Sequence, residues 1–343
     1  MRRRRFWIGM GISLVALLLA MRGVAWRDLW AALAEADYRA LVPAFLALAL
    51  SMAARVVRWQ RLLGPDVGFQ ASADAMGVGY LFSNLLPFRA GDLVRPLLIG
   101  LWTPVPATQA LSTVVVERVL DLLMVFLMMV GLLLTMALPA WMVRSGLVAG
   151  GAAMGTLGGL VWLAGQGERG ERLLRRLLAR LSVPRPLRRW GGRLPFPRRL
   201  RRQDPEAWVR WLWGGIAGLA VLRQRQMGVI LFWSALVWLS ALGIPYFTLV
   251  AFRPHPPLAA GGLVLVLTNL GLAIPASPGS LGVYHFLARE ALVTPFGVPE
   301  AQAMGFALVL HTFQYVSLCL WGLVVLARRS LSWRGLRAKV QAE

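Results

Sequence analysis

Asn84, Arg89, Asp92 and Arg95 fall in one short stretch, Asn84-Leu-Leu-Pro87-Phe-Arg89-Ala-Gly91-Asp92-Leu-Val-Arg95, inside a chain that otherwise reads as membrane. An ionisable side chain at membrane depth costs roughly 2.5–3.5 kcal/mol on insertion scales, so its presence there is a functional hypothesis. Pro87 and Gly91 break the helix at the same place, and such breaks survive at depth only when they line a cavity or are buried in protein. Further charges join this set: Arg55 and Arg58 one turn apart on one face, and Glu117, Arg118 and Asp121. Five guanidinium groups against three carboxylates is an excess that a purely structural ion-pair network would not need. Guanidinium forks bind phosphate bidentately and keep their charge when desolvated, so the excess fits an anion site. Helix N-termini at the Pro/Gly breaks would add N–H donors to the same anion. The competing reading is that Arg55, Arg58 and Arg61 are positive flanks of a span, which suits Arg61 best, and that Glu117 and Asp121 only neutralise Arg118.

A second, thinner set contains Asn269, Ser277, Gly279, Ser280, Tyr284, His285, Glu290, His311 and Gln314. His285 and His311 are either proton-responsive groups, since histidine titrates near neutral pH, or satisfied interior side chains. Two histidines without a cysteine or carboxylate partner do not make a metal site, so no metal and no cofactor is expected. No GxSxG elbow, HExxH or P-loop is present, and no nucleophile is spaced for a membrane-embedded phosphatase or transferase. The expectation is a protein that is not an enzyme.

The elements that position these residues are membrane helices. Mean hydropathy is +0.62, and 58% of the 343 residues are apolar. Several apolar runs exceed the length of about 18 residues that marks a spanning helix. Net charge is +22, but the arginines cluster at the ends of apolar runs and in one central segment. That is the positive-inside pattern, so nucleic acid is not expected as a partner. Lys339 is the only lysine among 37 basic residues. The single Cys319 says nothing about redox compartment. Arg2 to Arg5 and the apolar run to Ala20 resemble a signal peptide, but no small-x-small cleavage site follows, so the run reads as a first span.

The expected fold is all-α: a polytopic transmembrane bundle of six full spans, at about 6–21, 40–57, 109–137, 143–164, 227–251 and 300–327. Two re-entrant helical hairpins, at 72–100 and 257–292, interrupt them. Residues 26–37 suit a helix lying in the interface, with Trp26, Leu29, Trp30 and Leu33 on one face. The whole is one integral membrane domain, 1–343, with halves 1–138 and 142–328. The connector 166–206 is basic and amphipathic; it either lies on an anionic leaflet or is a solvated loop that sets topology. With Arg2–Arg5 inside, each half reads span, span, hairpin, span, with opposite orientation and both termini cytoplasmic. Asn84, Pro87 and Gly91 recur in order as Asn269, Pro275 and Gly279. Paired broken segments in inverted halves point to a transporter-type site near the midplane.

At these residues the chain resembles the flippase-like membrane region related to the lysylphosphatidylglycerol synthase transmembrane domain, a group that includes the YbhN-like proteins. Asn84 to Arg95 looks like its N-x-x-x-P-x-R-x-G-[DE]-x-x-R pattern with one residue fewer before the proline. Glu117, Arg118 and Asp121 match E-R-x-x-D, and Arg55, Arg58 and Trp59 match R-x-x-R-W. Pro275, Pro278, Gly279 and Gly282 match P-x-x-P-G-x-x-G. The similarity spans roughly residues 5–328. It departs at His285, where many members carry a carboxylate, and at His311, where many carry an arginine. No soluble aminoacyl-transferase domain is expected beside the membrane region, so the resemblance does not imply lipid lysylation. The resemblance implies a lipid transporter of the plasma membrane that moves an anionic, glycosylated or polyprenyl-phosphate-linked lipid between leaflets. An accessory subunit for a separate lipid-modifying synthase or glycosyltransferase is the alternative. Membrane lipids, and in the second case that enzyme, are the expected partners.

Overall fold

The computed structural model describes residues 2–86, 91–180, 227–271 and 278–329, together with Val209 and Trp213. Among them the chain is helical throughout, with no strand. The first half holds α1 (Arg2–Met21), α2 (Trp26–Glu35), α3 (Leu41–Leu63), α4 (Phe69–Leu85), α5 (Gly91–Trp102) and α6 (Ala107–Thr135). Then come α7 (Ala140–Gly165) and α8 (Glu168–Arg180), followed by α9 (Met227–Val250), α10 (Leu258–Gly271), α11 (Val283–Phe296) and α12 (Glu300–Arg328). Among the described residues, Tyr38–Leu63, Ala107–Thr135, Met227–Val250 and Glu300–Arg328 are long and apolar enough to cross a membrane. The bent pair Met10–Met21 and Trp26–Glu35, at 81°, would be a fifth if it counts as one span. The expected fourth span coincides with α7, a helix of 26 residues.

The two expected hairpins appear as pairs of short helices. At 1.5 Å per residue, the 17 and 12 residues of α4 and α5 and the 14 each of α10 and α11 all fall short of the ~20 that cross hydrocarbon. Each pair packs arm against arm. Glycine sets the first pairing: a Cβ on Gly91 would overlap the Gly79 carbonyl, and one on Gly79 would overlap the Arg95 stem. Gly91→Ala is expected to lower stability by about 2–3 kcal/mol, because the obstacle is backbone and cannot swing aside. A thermal shift in detergent checks this; an unchanged midpoint would mean that the arms sit further apart.

Exchanging the halves maps the main packing onto itself. Helix α3 lies against α9 as its own counterpart. The contacts α4–α12, α5–α6, α3–α4 and α3–α6 are matched by α10–α6, α11–α12, α9–α10 and α9–α12. Helices α6 and α12, both of 29 residues, therefore play the same part in opposite halves, each seated on its own hairpin and reaching the other one. The outer helices break the exchange, with α1 on α11 and α7 on α6.

Around the first short pair a core forms from Trp59, Met76, Leu98 and Ile99, and a larger one joins α3, α6 and α9 to α12. Leu29 of α2 turns inward onto Ala20 and Met304. Trp26 and Trp30 stay exposed, as suits headgroup depth. Thus the single face read from sequence is divided between protein and surroundings.

Candidate functional site

Arg58 is fully buried in the last third of α3. Its guanidinium faces the middle of α6, where Asp121 lies fourteen residues beyond Ala107 in a helix of 29. Arg58 Nη2 donates to Asp121 Oδ1 at 2.9 Å and lies 3.3 Å from Glu117 Oε1. Its Nη1 donates to Ser234 Oγ on α9 at 3.2 Å. One turn back, Arg55 Nη1 donates to Asp121 Oδ2 at 3.2 Å. From α5, Arg95 Nη2 reaches Glu117 Oε2 at 3.2 Å and Asp92 Oδ1 at 3.6 Å. Its guanidinium lies 4.9 Å from the Trp59 ring centre. Arg118 closes the ring, 2.6 Å from Asp92 Oδ1 and 3.5 Å from Asp121 Oδ2. Four helices thus converge on one ionic cluster, and every described member of the set expected from sequence on the first hairpin, α3 and α6 belongs to it except Asn84.

Three properties of the cluster matter chemically. Among the described residues it holds Arg55, Arg58, Arg95 and Arg118 against Asp92, Glu117 and Asp121, a surplus of one positive charge. Arg89, the fifth arginine expected here, lies outside the described residues, as do Pro87, Pro275 and Ser277. The cluster is also graded. Side-chain exposure is 0% at Arg58 and 1% at Glu117, rising to 25% at Asp92 and 33% at Arg118. Finally, the Nε atoms of all four arginines and Arg95 Nη2 are buried without a hydrogen-bond partner among the described residues. Arg95 Nη2 is within ion-pair distance of two carboxylates but is not aligned for a hydrogen bond to either. Unmatched buried donors cost about 1–3 kcal/mol each, and in a native site they call for a ligand or water.

Trp238 of α9 was invisible as a site residue, yet its Nε1–H donates to Asp121 Oδ1 at 3.1 Å. Trp238→Phe keeps the ring and deletes the donor. We expect a loss of about 1.5–3 kcal/mol, the size of a hydrogen bond to a charged group, read as a thermal shift against Trp233→Phe.

In the second half, Gln314 Nε2 donates to the Tyr284 hydroxyl at 3.0 Å. The Tyr284 ring stacks on His311 with centroids 4.5 Å apart, and the two histidines meet at 3.1 Å. Counting along the matched helices, His311 stands eleven residues into α12 and Arg118 eleven into α6; Gln314 matches Asp121 in the same way. Asn269 does not join this set: its amide donates to its own helix, at the Leu265 carbonyl. Among the described residues Asn84 does not touch the arginines either. It donates to Cys319 Sγ at 3.6 Å, and its carbonyl would be 3.8 Å from a Cβ on Gly279. The end of α4 therefore meets the turn Pro278–Ser280. Two further ties were not foreseen. Arg328 and Arg329, at the end of α12, both pair with buried Asp74. Arg289 pairs with Glu290 and Glu300 and donates to the Arg22 carbonyl. Among the described residues no group of three His, Cys, Asp or Glu side chains could hold a metal ion.

The family described as the lysylphosphatidylglycerol synthase TM region matches residues 6–322. The chain belongs to that family. No curated protein and no solved structure matches it. Apolar helices and family membership together make it a multi-pass membrane protein.

Proposed function

We propose that this member of the lysylphosphatidylglycerol synthase TM-region family moves a lipid with an anionic headgroup between the leaflets of the plasma membrane. An anionic, glycosylated or polyprenyl-phosphate-linked lipid would suit the chemistry. The observation that carries the reading is the arginine-rich cluster at mid-α6, cationic in balance, with buried donors to spare and open at Arg118. Taking a charged headgroup out of water is the costly step of translocation. A cluster already desolvated and held by Asp92, Glu117 and Asp121 lowers that cost for the headgroup while acyl chains stay in hydrocarbon. In this reading α4–α5 and α10–α11 are re-entrant hairpins entering from opposite faces. With α1 and α7 the spans then number six, and both termini are cytoplasmic. The chain carries lipid and does no chemistry on it.

The exposed Arg172, Arg175 and Arg176 of amphipathic α8 favour a second reading, an accessory subunit that docks a separate lipid-modifying enzyme. Reconstitution decides. Purified protein in liposomes carrying a fluorescent anionic lipid should expose the inner-leaflet label to an external quencher, and should do so faster than for a zwitterionic label. Quenching that stops at the outer-leaflet share overturns the transporter reading. Quenching only with an added partner favours the accessory role, and released phosphate or an altered lipid indicates an enzyme.

A further inference from the structure

The histidine pair lies apart from the arginine cluster and has hydrogen-bonding logic of its own. His285 and His311 are buried, at 5% and 9% exposure. His311 Nδ1 lies 3.1 Å from His285 Nε2. The Gly282 N–H donates to His285 Nδ1 at 3.3 Å, and His311 also hydrogen-bonds the backbone of Gly279. These contacts fix the protons by elimination. His285 Nδ1 accepts, so a neutral His285 carries its proton on Nε2 and donates it to His311 Nδ1. A neutral His311 then carries its proton on Nε2, the one ring nitrogen left for the Gly279 carbonyl. The bonds run one way, from the Gly282 N–H to the Gly279 carbonyl, and tie the turn at both ends. That turn needs tying: Gly279, Ser280 and Gly282 all have positive φ, at 69°, 54° and 87°, and Ser280 has a Cβ to accommodate there.

A further proton has no place in this arrangement. On His285 it would occupy Nδ1 and face the Gly282 N–H, donor against donor. On His311 it would occupy Nδ1 and force His285 to accept on Nε2, which moves the His285 proton to Nδ1 and produces the same conflict. Whichever ring takes the proton, the Gly282 contact is lost.

We propose that His285 and His311 form a proton-binding site, and that proton uptake releases the Gly282 end of the 278–282 turn. The surroundings suit a single charge. From α11, Tyr284 stacks on His311; from α12, Tyr315 meets it edge-on at 6.1 Å, with Cys319 one turn further. Arg289 and Glu290 lie a turn along α11 and are paired with each other, Arg289 also with Glu300. Helix α10 has no ionisable residue, the described part of α1 brings Ser13 to the turn, and α4 brings Asn84. Among the described residues, no carboxylate or guanidinium contacts either ring. Since the turn touches α4 at Asn84, its release is felt by the first short-helix pair. The half that lacks the Arg118 charge thus holds, at the matching position, a charge that comes and goes with pH.

The test reads the histidines and not transport, so it stands whether or not the anion-carrier reading survives. The chain has only three histidines, and exposed His255 serves as reference. The full chain, labelled with nitrogen-15 at histidine, goes into nanodiscs of zwitterionic lipid and is titrated from about pH 8 to about pH 4. At the alkaline end both His285 and His311 should be Nε2–H tautomers. On acidification the pair should take up a proton, and amide exchange in the peptide containing Gly282, corrected for intrinsic rates, should rise about tenfold, the size of one lost hydrogen bond. In His285→Asn the exchange step should vanish; in His311→Gln, where His285 can still take a proton on Nδ1, it should persist. An Nδ1–H tautomer on either ring at the alkaline end, no proton uptake, or uptake with unchanged exchange overturns the proposal in the unaltered protein, however the variants fold.

Discussion

Replacing Arg58 by alanine should cost about 3–5 kcal/mol, because it removes from both Glu117 and Asp121, which stay buried, a counter-charge in close contact. Arg58 is fully buried and bonds to Asp121 and Ser234 while lying against Glu117. After its loss Glu117 retains only Arg95, whose Nη2 is at ion-pair distance but poorly aligned. A domain is stable by only about 5–15 kcal/mol, so Arg58→Ala should accumulate poorly in membranes and melt far below the parent. Arg58→Lys should fall between, since an ammonium cannot fork between two carboxylates. The sharper test is the double variant Arg58→Met with Glu117→Met. Removing charge from both sides replaces the ion pair with apolar volume, which is often neutral. It should recover at least about 2 kcal/mol of the single-variant loss, a coupling of the size contacting residues show. Additive losses would mean that Arg58 acts through packing alone.

Much of this cluster was legible in the sequence because charge inside apolar runs is rare for an energetic reason. Arg55, Arg58, Glu117, Arg118 and Asp121 stand out against their neighbours, and Arg61, read as a flank, is indeed exposed. The breaks read at Pro87–Gly91 and Pro275–Gly282 fall between the arms of the two short-helix pairs, and α6, α9 and α12 lie within two residues of the spans expected, whereas α3 runs six residues past its expected end. Pairing was not legible. That Arg118 chooses Asp92 and Arg58 chooses Asp121 depends on how α5 and α3 approach α6, a non-local fact. Trp238 failed for a different reason. An indole at helical spacing in an apolar run looks like core, and its N–H matters only once Asp121 is opposite. Asn269 failed in reverse. Its amide promised a polar contact across helices, but an i−4 carbonyl within its own helix satisfied it. Polarity in a membrane helix marks a need for a partner and leaves open whether that partner is the helix itself. In the sequence the matching of halves was visible as the order span, span, hairpin, span in each and as the repeated order Asn, Pro, Gly. In the structure it is carried by packing, with α6 and α12 equivalent and Arg118 replaced by His311.

Arg118→Ala should separate function from stability, in contrast to Arg58→Ala. Arg118 is the most exposed guanidinium of the cluster, at 33%, and Asp92 beside it is 25% exposed. When Arg118 is removed, Asp121 keeps Arg55 and Arg58, so no carboxylate is left both buried and unpaired. The stability loss should stay within about 1 kcal/mol, as for other part-exposed ion pairs. The effect on an incoming headgroup is larger. Among the described residues the cluster then carries three arginines against three carboxylates, and its surplus positive charge is gone at the end that opens outward. One charged hydrogen bond is worth about 1.5–3 kcal/mol, so translocation of a labelled anionic lipid in liposomes should fall about tenfold or more. Arg118→Lys should retain part of the rate, and Asp92→Asn, which raises the net charge, should not slow entry of the anion. Should Arg118→Ala translocate at the parental rate while folding normally, the arginine cluster would be a structural knot, and the headgroup would have to travel elsewhere.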